Sequence, residues 1–275
     1  MGNWIVRQMN RVAAMALCSA AALMPAAASA QSSDGWQFGA SIYGWFPTLK
    51  GTTTFPPPPG GGSDISVDAA DIINNLKLVM MGSFEARKGR WGGFTDVIYM
   101  DLGNTKSQTR NFQLGRVQVP ADVSGQLTLD MKSTVWTLAG EYRAVADSDL
   151  QLDAFLGARM IDVDQTLTYA LSGNVGPIAL PDRSGSRKMS LNNWDGIVGV
   201  KGRFSFGDER RWFVPFYGDI GTGEPSSTYQ LLTGIGYAFK WGEMVEQWRY
   251  LNCNFGGAID SLSLNGPAVA LNFRW

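Results

Sequence analysis

The sequence predicts an all-β fold: a closed antiparallel transmembrane β-barrel of about ten strands, with eight or twelve as alternatives. Three observations lead there. The chain opens with an export signal, it has no later apolar run long enough for a spanning helix, and its alternating segments are joined by connections that are short and long in turn. An exported chain without spanning helices can still be integral if its strands close on themselves, because closure satisfies every backbone polar group.

The signal occupies residues 1–30. Arg7 and Arg11 supply a positive start, Val12 to Met24 an apolar stretch, and Ala28-Ser29-Ala30 the small residues of a cleavage site. That stretch is too short to cross about 30 Å of hydrocarbon. Cys18 follows the bulky Leu17, which argues against a lipoprotein site. Cleavage after Ala30 leaves residues 31–275 as the barrel domain.

Removal of Arg7 and Arg11 takes 23 basic residues to 21, against 24 acidic ones, a net charge of −3. That balance argues against a nucleic-acid partner, which needs a basic face. Cys253 is then the only cysteine, so no intramolecular disulfide forms. The chain has no histidine. Mechanisms that rest on a catalytic His as general acid or base are therefore closed to it, and zinc chemistry loses its usual ligands. No cofactor or metal is expected.

The strands follow in order. Trp36 to Thr48 alternates, with Trp36, Phe38, Ala40 and Ile42 on one face. A long connection follows, whose tail from Asp68 to Leu76 suits a short helix. Lys77 to Arg87 is the second strand, with Leu78, Met80, Phe84 and Ala86 opposite Lys77, Ser83, Glu85 and Arg87. Lys88-Gly89-Arg90 turns tightly into Trp91 to Leu102, where Asp96 shares a parity with Phe94, Ile98 and Met100 and suggests a bulge. The next strands run from Leu127 to Val145, Leu150 to Leu171, Leu191 to Phe206 and Trp212 to Ile220. Thr228 to Trp241, Met244 to Phe255 and Leu262 to Trp275 complete the ten. Pro215 and Gly266-Pro267 each require a local irregularity, since Pro cannot donate to a ladder.

The short turns all follow even-numbered strands and so lie at one end, the pattern of periplasmic turns in bacterial barrels. Tyr229 to Trp241 shows the clearest alternation, with Tyr229, Leu231, Ile235 and Tyr237 facing lipid and Gln230, Gly234 and Gly236 facing the lumen. On that parity Ile235→Arg should obstruct folding while Gly236→Ser should be tolerated. Trp36, Trp91, Trp212, Trp241 and Trp275 collect at the short-turn rim in this register. Indole rings favour that half-wet level.

The final strand ends in Val269, Leu271, Phe273 and Trp275, which resembles the C-terminal insertion signal that barrel-assembly machinery reads, with Trp where Phe is usual. The stretches GSFEARKGRWGGFTDVIYMDL at 82–102, and PFYGDIGTG through YQLLTGIGYAFKWG at 215–242, resemble a family of uncharacterised Gram-negative outer-membrane β-barrel proteins, OmpA-like or porin-like small barrels. The resemblance implies fold and an outer-membrane location, with no substrate to carry over. It also implies an apolar residue near Glu246 and an aromatic one near Cys253, where this chain departs.

Lipid-facing parity sends Glu85, Arg87, Asp153, Arg159, Asp195, Lys201, Arg203 and Arg249 into the lumen. A network of paired charges that fills the barrel is the first reading, and a narrow pore that selects small solutes the second. Ten strands lie nearer the filled eight-stranded interior than the open channel of about sixteen. Carboxylate pairs can also catalyse hydrolysis, but each acid here lies near an Arg or Lys, which favours ion pairing. A last reading is surface adhesion or recognition through loops 55–75, 105–123 and 172–188. The sequence therefore points to a non-enzymatic barrel in contact with outer-membrane lipid, with structural support or narrow solute passage as its role.

Overall fold

The computed structural model describes residues 35–53, 63–67, 76–109, 113–114, 117–118, 123–175, 178–179, 183–207, 209–223, 226–255 and 259–275. The strands in chain order are β1 (Trp36–Trp45), β2 (Thr48–Thr53), β3 (Ser63–Val67), β4 (Leu76–Lys88), β5 (Trp91–Thr109), β6 (Gln113–Leu114), β7 (Val117–Gln118) and β8 (Val123–Ala146). They continue as β9 (Leu150–Val175), β10 (Ile178–Ala179), β11 (Arg183–Phe206), β12 (Trp212–Thr222), β13 (Ser227–Ala238), β14 (Glu243–Asn254) and β15 (Ile259–Arg274).

Ten of these make the wall. β1, β4, β5, β8, β9, β11, β12, β13, β14 and β15 pair in sequence, and β15 returns to β1 to close the ring. Every pairing is antiparallel, and the closing register sets Ala40 across from Phe273 and Ile42 across from Leu271. The fold is a closed ten-stranded antiparallel barrel. Closure leaves no open edge, the condition for crossing hydrocarbon with strands. β2 continues the path of β1 beyond Phe46-Pro47, pairs with β15 and forms a hairpin with β3.

Alternation explains the two faces. Ile42, Leu78, Leu138, Leu156, Val198, Ile220, Leu231 and Ile235 are exposed on the outside, as an apolar lipid-facing band requires. Aromatic rings edge this band. At the short-turn rim Trp91 meets Tyr142 at 4.9 Å and Trp212 meets Tyr237 at 4.9 Å, with Trp36, Trp241 and Trp275 also exposed. Nearer the other end Trp136 packs edge-on to Trp194 at 6.0 Å, and the Trp248 Nε1 donates to Asn265 at 2.6 Å. Trp45 departs from both groups and is buried inside the barrel.

The wall is uneven in height. β8, β9 and β11 run for 24, 26 and 24 residues, whereas β12, β13 and β14 have 11, 12 and 12. A membrane strand needs about 9–11 residues. The short side therefore just spans, and the tall side projects well beyond the band at the long-loop end.

Several sequence expectations need correction. β5 extends to Thr109, β8 begins at Val123, β9 reaches Val175 and β11 begins at Arg183, so part of what read as loop is strand. Polar Thr and Ser residues on both faces of these extensions hid the alternation. Asp96 sits in a register that runs unbroken from Trp91 to Leu102, so there is no bulge; Phe94, Ile98 and Met100 share its parity because they face the lumen too. Gly236 is lumenal, but a Cβ there would lie 2.3 Å from Cζ of Phe213, so Gly236→Ser meets a packed ring and is not a neutral change. At Pro215 the β12–β13 ladder skips from Phe213 to Phe216, the expected irregularity. The stretch from Asp68 to 75, read as a short helix, lies outside the described residues.

Candidate functional site

The lumen has two zones. The zone nearer the short turns is built from ion pairs. Arg87 on β4 donates through Nη2 to Asp153 at 2.7 Å, to Glu85 at 3.2 Å and to Glu141. Arg143 reaches Asp153 at 2.7 Å, and Lys201 lies 2.7 Å from both Glu85 and Glu141. Glu85, Glu141 and Asp153 each bring an oxygen within 4.8 Å of the others, a spacing that metal ligands can share. Here three cationic side chains match the three carboxylates, so the group is electrically complete as it stands.

Three further pairings cross the lumen. Arg159, fully buried, donates to both oxygens of Asp219, with Nη1 to Oδ1 at 2.9 Å, the two-pronged geometry that suits guanidinium and carboxylate. Tyr217 donates to the same carboxylate at 2.5 Å. Arg249 donates to Asp96 at 2.9 Å, to the Tyr43 hydroxyl at 2.9 Å and to Gln230 at 3.0 Å, and Tyr43 donates to Asp96 at 2.5 Å. Arg203 donates to Glu243 at 2.5 Å nearer the rim.

Beyond these pairs the lumen turns apolar. Trp45, Met81, Ile98, Met100, Leu102, Met131, Val135, Ile161, Val163, Leu251, Cys253 and Leu264 belong to one buried cluster. The Trp45 Nε1 donates to the Gly266 carbonyl at 3.2 Å, so its one polar atom is satisfied within that core. Cys253 packs there as a small apolar residue.

The structure thus brings Glu85, Arg87, Asp153 and Lys201 into one cluster, and gives Arg159, Arg203 and Arg249 separate acidic partners. Asp195 differs from the expectation that each acid meets a cation. It lies directly across from Arg159 in the β9–β11 register, yet it accepts from Asn193 at 2.8 Å and from Ser226. Sequence reading missed Glu141, Asp219, Glu243 and Arg143. Each carries a visible signal, a charge at lumenal parity within an apolar strand, as Glu141 does beside Ala139 and Thr137. Glu246 points outward, exposed between Met244 and Trp248 on the lipid-facing side of β14.

The 275-residue chain aligns over 90% of its length with 98% of the outer membrane protease OmpT from Escherichia coli, at 8% identity and a TM-score of 0.55. The fold is that of an outer-membrane β-barrel. The translocator domain of the autotransporter NalP from Neisseria meningitidis aligns at 10% identity, over 98% of this chain and 97% of that one, with a TM-score of 0.26. The Pseudomonas putida toluene transporter TodX aligns at 10% identity over 88% and 90%, also at 0.26. No family model matches the sequence, and no curated protein matches it.

Proposed function

We propose that this protein is a non-enzymatic integral barrel of the Gram-negative outer membrane, exported behind a signal removed after Ala30, with a structural role and a closed lumen. The observation that carries this reading is the filled interior. Ion pairs knit non-adjacent strands across the lower lumen, and a packed apolar core occupies the upper lumen. Dry apolar packing of this kind excludes water and hydrated ions. The carboxylates of Asp153, Asp219 and Asp96 are each held by a guanidinium group, which takes up the oxygens a substrate would need. The lipid-facing band and its aromatic edges suit outer-membrane lipid as the surrounding partner, and the C-terminal strand suits recognition by the assembly machinery.

The test is electrical. Mature protein, refolded and inserted into planar bilayers, should give no stable unitary conductance across salt concentrations and voltages. Reproducible single-channel steps would replace the structural role with solute passage.

The tall wall favours a second reading. β8 and β9, of 24 and 26 residues, carry the wall at Val123 and Val175 well beyond the length a membrane strand needs, which favours loops 105–123 and 172–188 as a surface-recognition element. Shortening those segments should leave barrel folding intact. Loss of attachment to a surface partner would then support recognition as the added role.

A further inference from the structure

The lower lumen is filled on one side only. On β8, β9 and β11 the inward Glu141, Asp153, Arg159 and Asp195 are buried, and Arg143, Lys201 and Arg203 half-buried. Across from them, beside β1, β4 and β14, lies a cavity of ≈ 210 Å³. Its way in is from the short-turn end. Along β1 the lumenal side chains pass from exposed at Gln37, through half-buried at Ser41 and Tyr43, to buried at Trp45. Arg249 and the apolar core close it from above.

We infer that this blind vestibule is a binding site for a small neutral polyhydroxylated molecule, of the size of one sugar ring, reached from the periplasmic side. The inference goes beyond the structural role and does not need a conducting lumen. Three features select the ligand. First, the charges in the lining cancel in pairs, Glu85 with Lys201 and Asp96 with Arg249. A ligand with net charge would have to break a pair and leave a partly desolvated partner, which is costly. Second, Ser41 and Ser83 face each other across the β1–β4 ladder, and Gln247 adds a carboxamide from β14. Each hydroxyl both donates and accepts, and the amide does the same through two atoms, which is the mixed set that sugar hydroxyls match. Third, the Tyr217 ring lines the same space and offers apolar surface to the C–H face of a ring, beside Phe94, which carries the Lys201 ammonium 4.1 Å over its own ring. The volume lies below the 300 Å³ or so at which drug-sized pockets begin, so one ring fits and a chain of them does not.

The experiment is a titration of the folded, detergent-solubilised mature barrel, followed by ligand-observed NMR. Glucose and N-acetylglucosamine are the neutral probes, and glucuronate and glucosamine are their anionic and cationic counterparts. The neutral sugars should saturate, with the charged ones at least about tenfold weaker. Ser83→Leu, which fills the vestibule from β4, should abolish the signal while heat-modifiable migration is retained. Ser41→Val makes the same test from β1 if the first variant does not fold. Absence of saturation by either neutral sugar overturns the proposal. So does equal binding of the charged pair, or binding that survives in a folded vestibule-filled variant. Because conductance is read separately, an open pore with no sugar binding sinks this inference and the structural role by different measurements.

Discussion

The two zones of the lumen solve one problem with opposite chemistry. Below, non-adjacent strands are tied by Arg87, Arg159 and Arg249, each bonded to acids on other strands. Above, Ile98, Met100, Met131, Ile161 and Val163 pack against one another with no charge among them. A barrel wall whose outside faces lipid is expected to be polar within, and the lower zone obeys that rule more fully than the upper, where Ser133, Asn193 and Thr228 are buried among apolar residues. The upper zone shows that a narrow barrel can fill itself as a soluble protein fills its core. The two solutions fail differently. Deleting an apolar side chain leaves a cavity, whereas deleting one member of a buried ion pair leaves an uncompensated charge.

That difference sets the order of expected effects. Arg87→Ala should be the most damaging change, since it leaves the three carboxylates of Glu85, Glu141 and Asp153 with only Lys201 and Arg143 to balance them. A loss of about 3–5 kcal/mol is expected, read as a lowered unfolding midpoint in urea and a loss of heat-modifiable migration. The arrangement also predicts non-additivity. Arg159→Met combined with Asp219→Leu should cost less than Arg159→Ala alone, because the double change removes both charges. A double variant as unstable as the sum of its parts would break the comparison.

Ile161→Ala probes the upper zone, where its side chain is 1% exposed. A loss of about 2–4 kcal/mol follows from cavity formation. If this exceeds the cost of Arg87→Ala, the ranking of the two zones is reversed. Glu246→Leu sharpens the contrast from outside the barrel, since its carboxylate sits exposed between Met244 and Trp248 with Ile235 and Val269 on the flanking strands. Removing it should stabilise the barrel in lipid by about 1–2 kcal/mol, somewhat less than the penalty for a basic residue at that depth. A destabilised Glu246→Leu variant would give the carboxylate a partner on that surface. Lys132→Ala should matter least. Its side chain is 62% exposed and its ammonium 3.7 Å from Asp101, so the change should stay within about 1 kcal/mol.

The sequence conveyed these zones unequally, for physical reasons. Where one face of a strand is apolar and the other polar, as in β13, parity reads directly and matches the observed burial of Gln230 and exposure of Leu231. In β5 both faces are apolar in the upper part, with Val97 and Tyr99 outside and Ile98 and Met100 inside. Alternation vanishes there, and Asp96 looked like the anomaly when it was the ordinary lumenal residue. The extensions of β8, β9 and β11 were hidden for the converse reason, because polar residues such as Ser124, Ser172 and Ser186 resemble loop. Parity also says which charges share the lumen but not which of them meet. Arg159 and Asp195 are neighbours in the ladder, yet the guanidinium crosses to Asp219, 60 residues along the chain. Pairings between non-adjacent strands, and those across the ring such as Arg249 with Asp96, are not encoded in local pattern.

The account rests on a lumen that water does not cross, and Cys253 reports on that point directly. It is the only cysteine left once residues 1–30 are gone, and it sits 1% exposed in the upper core among Leu251, Phe255 and Leu262. The measurement is the rate at which a water-soluble maleimide labels it in the folded, membrane-embedded barrel, against the same protein unfolded by heat in detergent. The folded protein should stay unlabelled over a time in which the unfolded chain reacts fully. Labelling of the folded barrel at a comparable rate, with its folded migration retained on gels, would mean that water reaches the upper lumen and would contradict the closed barrel.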